Sequence, residues 1–113
     1  MEHVEVAIIG AGLAGLSCAY TLAKAGLDTL VVERGDYPGS KNVTGGRLYM
    51  NPVRRYLPDV LDSAPFERYV TKERLSMLTD DSSVTLEFRS DNYSKQPHHS
   101  YTILRPTFDR WLA

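Results

Sequence analysis

Three glycines within six residues, in Gly10-Ala11-Gly12-Leu13-Ala14-Gly15, leave this chain few ways to begin. Before them, Val-Glu-Val-Ala-Ile-Ile at residues 4–9 is rich in β-branched side chains and nearly continuously apolar. That texture suits a central parallel strand covered on both faces. After them, Leu13, Leu16, Ala19, Tyr20 and Ala23 recur at three- and four-residue intervals, which predicts a helix from Leu13 to Ala25 that Gly26 stops in the C′ position. Thr29-Leu30-Val31-Val32-Glu33 reads as a second buried strand. Together these make a βαβ unit whose crossover is expected to be right-handed.

A G-x-G-x-x-G between a strand and a helix, with an acid at the end of the next strand, is the dinucleotide-binding fingerprint of a Rossmann-type fold. Gly10 permits the tight turn, Gly12 lets a pyrophosphate approach the backbone, and Gly15 lets helix and strand pack closely. The amides of Leu13 and Ala14 at the helix start then face the phosphates, a dipole effect of about 0.3 to 1 kcal/mol, rising to about 2 when partly buried. Glu33, 18 residues after Gly15, supplies the specificity. Its carboxylate accepts from ribose hydroxyls and repels a 2′-phosphate, which favours FAD or NAD over NADP. The bland alternative is that the glycines merely allow a tight strand-helix turn.

Charge names no partner: 13 Lys and Arg oppose 14 Asp and Glu over 113 residues, without a like-charge run that would suit nucleic acid. The single cysteine, Cys18, forms no internal disulfide and holds no cluster or zinc alone, so it reads as a small packing residue in a reducing compartment. His98-His99 lacks an acidic or cysteine partner at metal spacing and reads as a loop pair, so no metal site is expected. The acidic start, Glu2 and Glu5 around His3, is unlike a secretory signal, and no run of 18 apolar residues occurs. The expected location is cytoplasmic, with a peripheral contact on the inner face of the membrane left open.

Residues 34–46 are rich in glycine and lack periodicity, which predicts a long loop of the kind compact domains keep for a use. Asn51-Pro52 is expected to cap and start a short helix through Leu57. Leu75 to Thr79 and Val84 to Phe88 flank Asp80-Asp81-Ser82-Ser83 as a hairpin, and Ser100 to Leu104 supplies another strand. Thr107 is expected to cap a helix that the chain cuts off after little more than a turn, with Phe108, Trp111 and Leu112 facing a core. The fold class is therefore α/β: a Rossmann-type βαβ unit followed by antiparallel strands, in an incomplete domain. Residues 1–50 are expected to be the dinucleotide unit with its glycine loop, 51–104 the start of a second, sheet-rich domain, and 105–113 a helix returning to the first unit.

The chain resembles the FixC group of FAD-dependent electron-transfer flavoprotein-quinone oxidoreductases, within the class that includes geranylgeranyl reductases and aromatic hydroxylases. The resemblance rests on Val6 to Gly15, on Val32-Glu33-Arg34-Gly35, on Gly39-Ser40-Lys41-Asn42-Val43-Thr44-Gly45-Gly46-Arg47-Leu48-Tyr49, and on Leu104-Arg105-Pro106-Thr107-Phe108-Asp109-Arg110-Trp111-Leu112. It implies that FAD is the cofactor, that Arg34 belongs to its site, and that Lys41, Asn42, Thr44, Gly45 and Gly46 pass beside the isoalloxazine. An arginine placed like Arg105 then reaches the ribose and pyrophosphate. It further implies an electron-transfer flavoprotein as donor, a quinone or a ferredoxin-like iron-sulfur subunit as acceptor, and a chain forming only the amino-terminal part of such an enzyme. Alternatives stay open: Lys41, Asn42 and Thr44 as a solvated polar loop, Arg105 as a structural ion pair with Asp109, a prenyl reductase or aromatic hydroxylase, and an inactive fragment or bare nucleotide-binding module. No side chain here reads as a catalytic acid, base or nucleophile.

Overall fold

The structure, a computed structural model, describes residues 3–59, 61–96 and 99–113. Strand β1 (Val6–Ile9), helix α1 (Leu13–Lys24) and strand β2 (Thr29–Val32) form the expected βαβ unit, and the two strands pair in parallel from Val6 opposite Thr29 to Ile9 opposite Val32. Gly26, at φ +85°, ends α1 in a full Schellman arrangement: its amide donates to the Ala23 carbonyl and the Leu27 amide to that of Leu22. Helix α1 lies over the face carrying Ile8, Thr29 and Val31, whereas the reading of both strands as covered on two faces fails. Ile9 is 83% exposed, and Leu30 and Val32 are exposed beside it. Only one layer of helix stands against the sheet.

Strand β3 (Gly45–Tyr49) follows the glycine loop and runs directly into helix α2 (Met50–Tyr56). Two expectations are corrected here. The loop ends at Thr44 rather than at Gly46, and Tyr49 rather than Asn51 occupies the N-cap. Pro52 still fits, because the amide it lacks belongs to the first turn, where no helical partner exists. Beyond a 3-10 turn at Leu61–Ser63, strand β4 (Arg68–Tyr69) and the hairpin strands β5 (Lys72–Leu78) and β6 (Ser83–Arg89) precede β7 (Ser100–Leu104) and helix α3 (Arg105–Leu112). The order β3-β7-β4 makes an antiparallel sheet, with Gly45 opposite Leu104 and Tyr49 opposite Ser100. Helix α3 begins at Arg105, not at Thr107, so it has eight residues rather than one stray turn, and its first amide donates to the Thr44 carbonyl at 3.1 Å.

The core sits where α2 meets that sheet. Met50, Leu57 and Leu61 are buried, with Tyr20, Leu48, Phe66, Tyr101 and Leu112 packed around them. Phe108 is 2% exposed on α3, with Trp111 against it at 5.1 Å between ring centres, as the sequence suggested. His99 departs from the loop reading: it is buried beside Arg54, edge-on to the Tyr101 ring. Burial, reinforced by the Tyr69 hydroxyl, pushes the Tyr101 phenol up to about 12. His98 lies outside the described residues. Cys18 is exposed on α1 rather than packed.

The hairpin stands apart. Its pairing puts Leu75, Met77, Val84, Leu86 and Phe88 on one face and Lys72, Arg74, Glu87 and Arg89 on the other, and every one of these residues is exposed. It contributes to a radius of gyration of 17.8 Å, against about 13 Å for a compact chain of this length.

Candidate functional site

The glycine turn joins the carboxyl end of β1 to the start of α1. Gly10 holds φ +101°, a left-handed conformation that a side chain would strain, and its amide donates to the Val32 carbonyl at 2.7 Å. Gly12 is the N-cap of α1, in extended backbone, and no side chain caps the helix. The first-turn amides of Leu13, Ala14 and Gly15 therefore have no partner within the helix. A Cβ built on Gly12 would enter open space, whereas one on Gly15 would run into the Gly10 carbonyl oxygen and lie 3.3 Å from Ile8 Cγ2. The two glycines thus serve different ends: Gly15 brings the helix onto the strand, and Gly12 keeps the ground before the helix clear.

Glu33, just beyond β2, is the hub of the site. Its carboxylate accepts from the Ala11 amide at 2.9 Å, from the Gly35 amide at 2.6 Å, and from Lys41 Nζ at 3.4 Å. The Gly35 amide first, the Ala11 amide next, and the Lys41 ammonium hold this carboxyl at about 2, below its ordinary 4.5. It is ionised at any physiological pH. Ile9, Gly10, Val32, Glu33, Arg34 and Lys41 line an open cleft of about 460 Å³ at the carboxyl ends of the two strands, the place where open α/β sheets take their ligands. A larger cleft of about 520 Å³ lies between α1, β2 and the end of α3, and Ala11 and Glu33 line it from the other side of the turn.

The loop from Arg34 to Thr44 is fastened at its far side to α3. Asn42 Nδ2 donates to Asp109 Oδ2 at 2.6 Å, and the guanidinium of Arg105 forks onto the same carboxylate through Nε at 2.8 Å and Nη2 at 2.9 Å. Asp109 is fully buried, and its Cβ lies 2.9 Å from where a Cβ of Gly39, itself at φ +86°, would stand. The ion pair between Arg105 and Asp109, one of two readings open from sequence, is thus formed. It engages two of the five guanidinium N–H groups. Thr44, Gly45 and Gly46 are exposed where the loop enters β3, and a Cβ on Gly46 would meet open space.

A family model described as DAO, FAD dependent oxidoreductase, matches residues 5–107. The chain belongs to the FAD dependent oxidoreductase family. The chain is 46% identical over 111 residues to Protein FixC of Azotobacter vinelandii, covering 98% of the chain and 26% of that relative. It is 48% identical over 111 residues to the probable electron transfer flavoprotein-quinone oxidoreductase YdiS of Escherichia coli K12, with the same coverage. Against Protein FixC of Bradyrhizobium diazoefficiens the identity is 40% over 112 residues, covering 99% of the chain and 26% of the relative. The chain spans about a quarter of the length of the curated relatives it matches.

FAD, the cofactor of the family, suits this turn: open ground before Gly12, uncapped amides, and an ionised acid at the end of β2 are what an adenine dinucleotide needs. The structure gathers Gly10, Glu33, Arg34 and Lys41 around one cleft, sets Gly12, Leu13, Ala14 and Gly15 at the start of α1, and sets Asn42, Thr44, Gly45, Gly46 and Arg105 along the loop and its anchor. Two participants were missed from sequence. The Ala11 amide as a partner of Glu33 is signalled only by an acid following the strand beside the turn. Asp109 as the anchor of Asn42 carries no local signal at all. Among the described residues no group of three or more His, Cys, Asp or Glu could hold a metal ion, and no helix is long and apolar enough to cross a membrane.

Proposed function

We propose that this chain forms the adenine-nucleotide part of the FAD site in an oxidoreductase that takes electrons from an electron-transfer flavoprotein and passes them to a quinone or to a ferredoxin-like iron-sulfur subunit. The observation that carries the reading is the pairing of the uncapped α1 start with the ionised Glu33 across one turn. The amides of Leu13 and Ala14 receive the pyrophosphate, and the Glu33 carboxylate accepts from the ribose. Arg105, with three N–H groups outside its fork to Asp109, is placed to add a contact to phosphate. Asn42, Thr44, Gly45 and Gly46 border the flavin ring, whereas Lys41, paired with Glu33, stays at the ribose end, and Arg34 flanks the cleft. FAD, when bound, supplies the electron transfer, and the chain's residues hold and orient it.

The relatives support the partners: one carries electron transfer flavoprotein and quinone in its name, and FixC proteins match at comparable identity. On this reading residues 51–104 open the domain that meets the acceptor, residues 105–113 return to the FAD unit, and the protein works in the cytoplasm with a peripheral contact on the inner face of the membrane. Anaerobic mixing of the flavoprotein with reduced electron-transfer flavoprotein, followed by flavin absorbance, tests the donor. Fast bleaching is the expected result. Bleaching by NADPH alone would point instead to a geranylgeranyl reductase or aromatic hydroxylase.

A further inference from the structure

The stretch from Gly10 to Gly12 has little of its own to fix it. Two of its three residues are glycines, the most freely rotating residues in an unfolded chain, and the methyl of Ala11 offers no polar anchor. Two ties hold it. One is backbone, from the Gly10 amide to Val32 at 2.7 Å. The other is the Glu33 carboxylate on the Ala11 amide at 2.9 Å, made to a residue only 3% exposed. We infer that Glu33 serves the diphosphate as well as the ribose: by holding the Ala11 amide it sets the peptide plane from which the amides of Leu13 and Ala14 are aimed at phosphate.

The surroundings are arranged for that task. A Cβ on Gly35 would lie 3.1 Å from Glu33 Oε1 and 3.4 Å from Lys41 Nζ, so the bare glycine leaves the carboxylate its room. An ionised carboxylate has about four acceptor positions. Ala11, Gly35 and Lys41 take three of them. The longest and most exposed of these contacts is that to Lys41, at 3.4 Å with the lysine side chain 51% exposed. A ribose hydroxyl therefore uses the remaining position, or displaces the ammonium, and leaves the Ala11 amide in place. In this role Glu33 is a positioning residue for the phosphates, acting through the backbone.

This inference rests on the reading of the turn as an adenine-nucleotide site, and the test separates the two. The flavin-free protein, and its Glu33→Gln and Glu33→Ala variants, are titrated calorimetrically with ADP and with 2′,3′-dideoxy-ADP, which keeps the diphosphate but offers no ribose hydroxyl to Glu33. Hydrogen exchange at the amides of β1 and α1 checks that each variant is folded, and the near-isosteric Gln variant guards against collapse of the turn. The expected result is that Glu33→Ala loses about tenfold in affinity for dideoxy-ADP, the scale at which outer-shell positioning groups act, and more for ADP, while its Ala11 amide exchanges faster; Glu33→Gln, whose side-chain oxygen still accepts from Ala11, loses less for dideoxy-ADP. Unchanged dideoxy-ADP affinity, with ADP affinity reduced, overturns the positioning role and leaves the ribose contact standing. Equal affinity of the parent for the two ligands, with both weakened in the variants, overturns the ribose contact and supports the positioning role. A parent that binds neither ligand overturns both.

Discussion

Replacing Asp109 by alanine should unlatch the glycine loop from α3. The side chain is fully buried and its two oxygens accept three hydrogen bonds, at 2.8 and 2.9 Å from Arg105 and 2.6 Å from Asn42. Hydrogen bonds to a charged group contribute about 1.5 to 3 kcal/mol each, but they do not all disappear at full value. The Arg105 side chain is 29% exposed and recovers water, and Asn42 is half-buried. Loss of one partner from a buried ion pair costs about 3 to 5 kcal/mol, and the partial exposure of Arg105 favours the lower end, so the expectation is about 3 kcal/mol. Alanine keeps the Cβ that packs against Gly39, so the change isolates the carboxylate. The protein contains a single tryptophan, Trp111, two residues along the same helix, so urea unfolding followed by its fluorescence reads the effect directly. At about 4 to 8 °C per kcal/mol for small domains, the thermal midpoint should fall by roughly 12 to 24 °C. Asn42→Ala made in the Asp109→Ala background should then cost less than Asn42→Ala alone. A loss under about 1 kcal/mol for Asp109→Ala, or strictly additive costs for the pair, would refute the latch.

The remaining expectations concern the turn, the acids and the hairpin. Gly12→Val should leave the fold intact, because its side chain meets open space, yet abolish retention of yellow flavin through purification; Gly15→Val should instead destabilise the fold by about 1 to 3 kcal/mol through its collision with the Gly10 carbonyl, measured by thermal unfolding. Glu33 and Glu87 both sit at about 2 rather than 4.5, Glu33 through the Gly35 and Ala11 amides and Glu87 through Arg74 and Arg89. A lowered folded value means that their contribution is full above pH 4.5 and is lost as the pH falls through about 2, so acid titration of stability should show a decline in that window that Glu33→Gln reduces. Leu86→Ser on the exposed hairpin face should change the stability of this chain by no more than about 0.5 kcal/mol in urea unfolding.

Local signals made most of the first half legible. Thr29 to Val32, the Gly26 stop and the glycine turn follow from β-branching, helical spacing and left-handed backbone, all of which act within a few residues. Ser100–Leu104 and the hairpin were legible for the same reason, since alternation and a polar turn are short-range features. Strand β3 was not, because two of its five residues are glycines with low strand preference and its hydrogen bonds go to β7, far along the chain. The ion pair of Arg105 with Asp109 was legible at helical spacing. The bond from Asn42 to the same carboxylate spans 67 residues, and only the fold brings the two together. Glu33 was assigned to the ribose from its place after β2, but its hold on the Ala11 amide depends on a hydrogen-bond geometry that sequence does not display.

The latch between Asn42 and Asp109 also imposes an order of events during synthesis. The contact of Glu33 with Ala11 closes a segment of 22 residues, and that of Asn42 with Asp109 one of 67. In loop-closure entropy the longer ring costs about 1 kcal/mol more. More important is timing: translation proceeds from the amino end at roughly 5 to 20 residues per second, so the βαβ unit emerges several seconds before Asp109 exists. The nascent chain therefore has a phosphate turn well before it has a fastened loop. Fastening of that loop must wait on α3, even though the turn and the loop itself were made earlier.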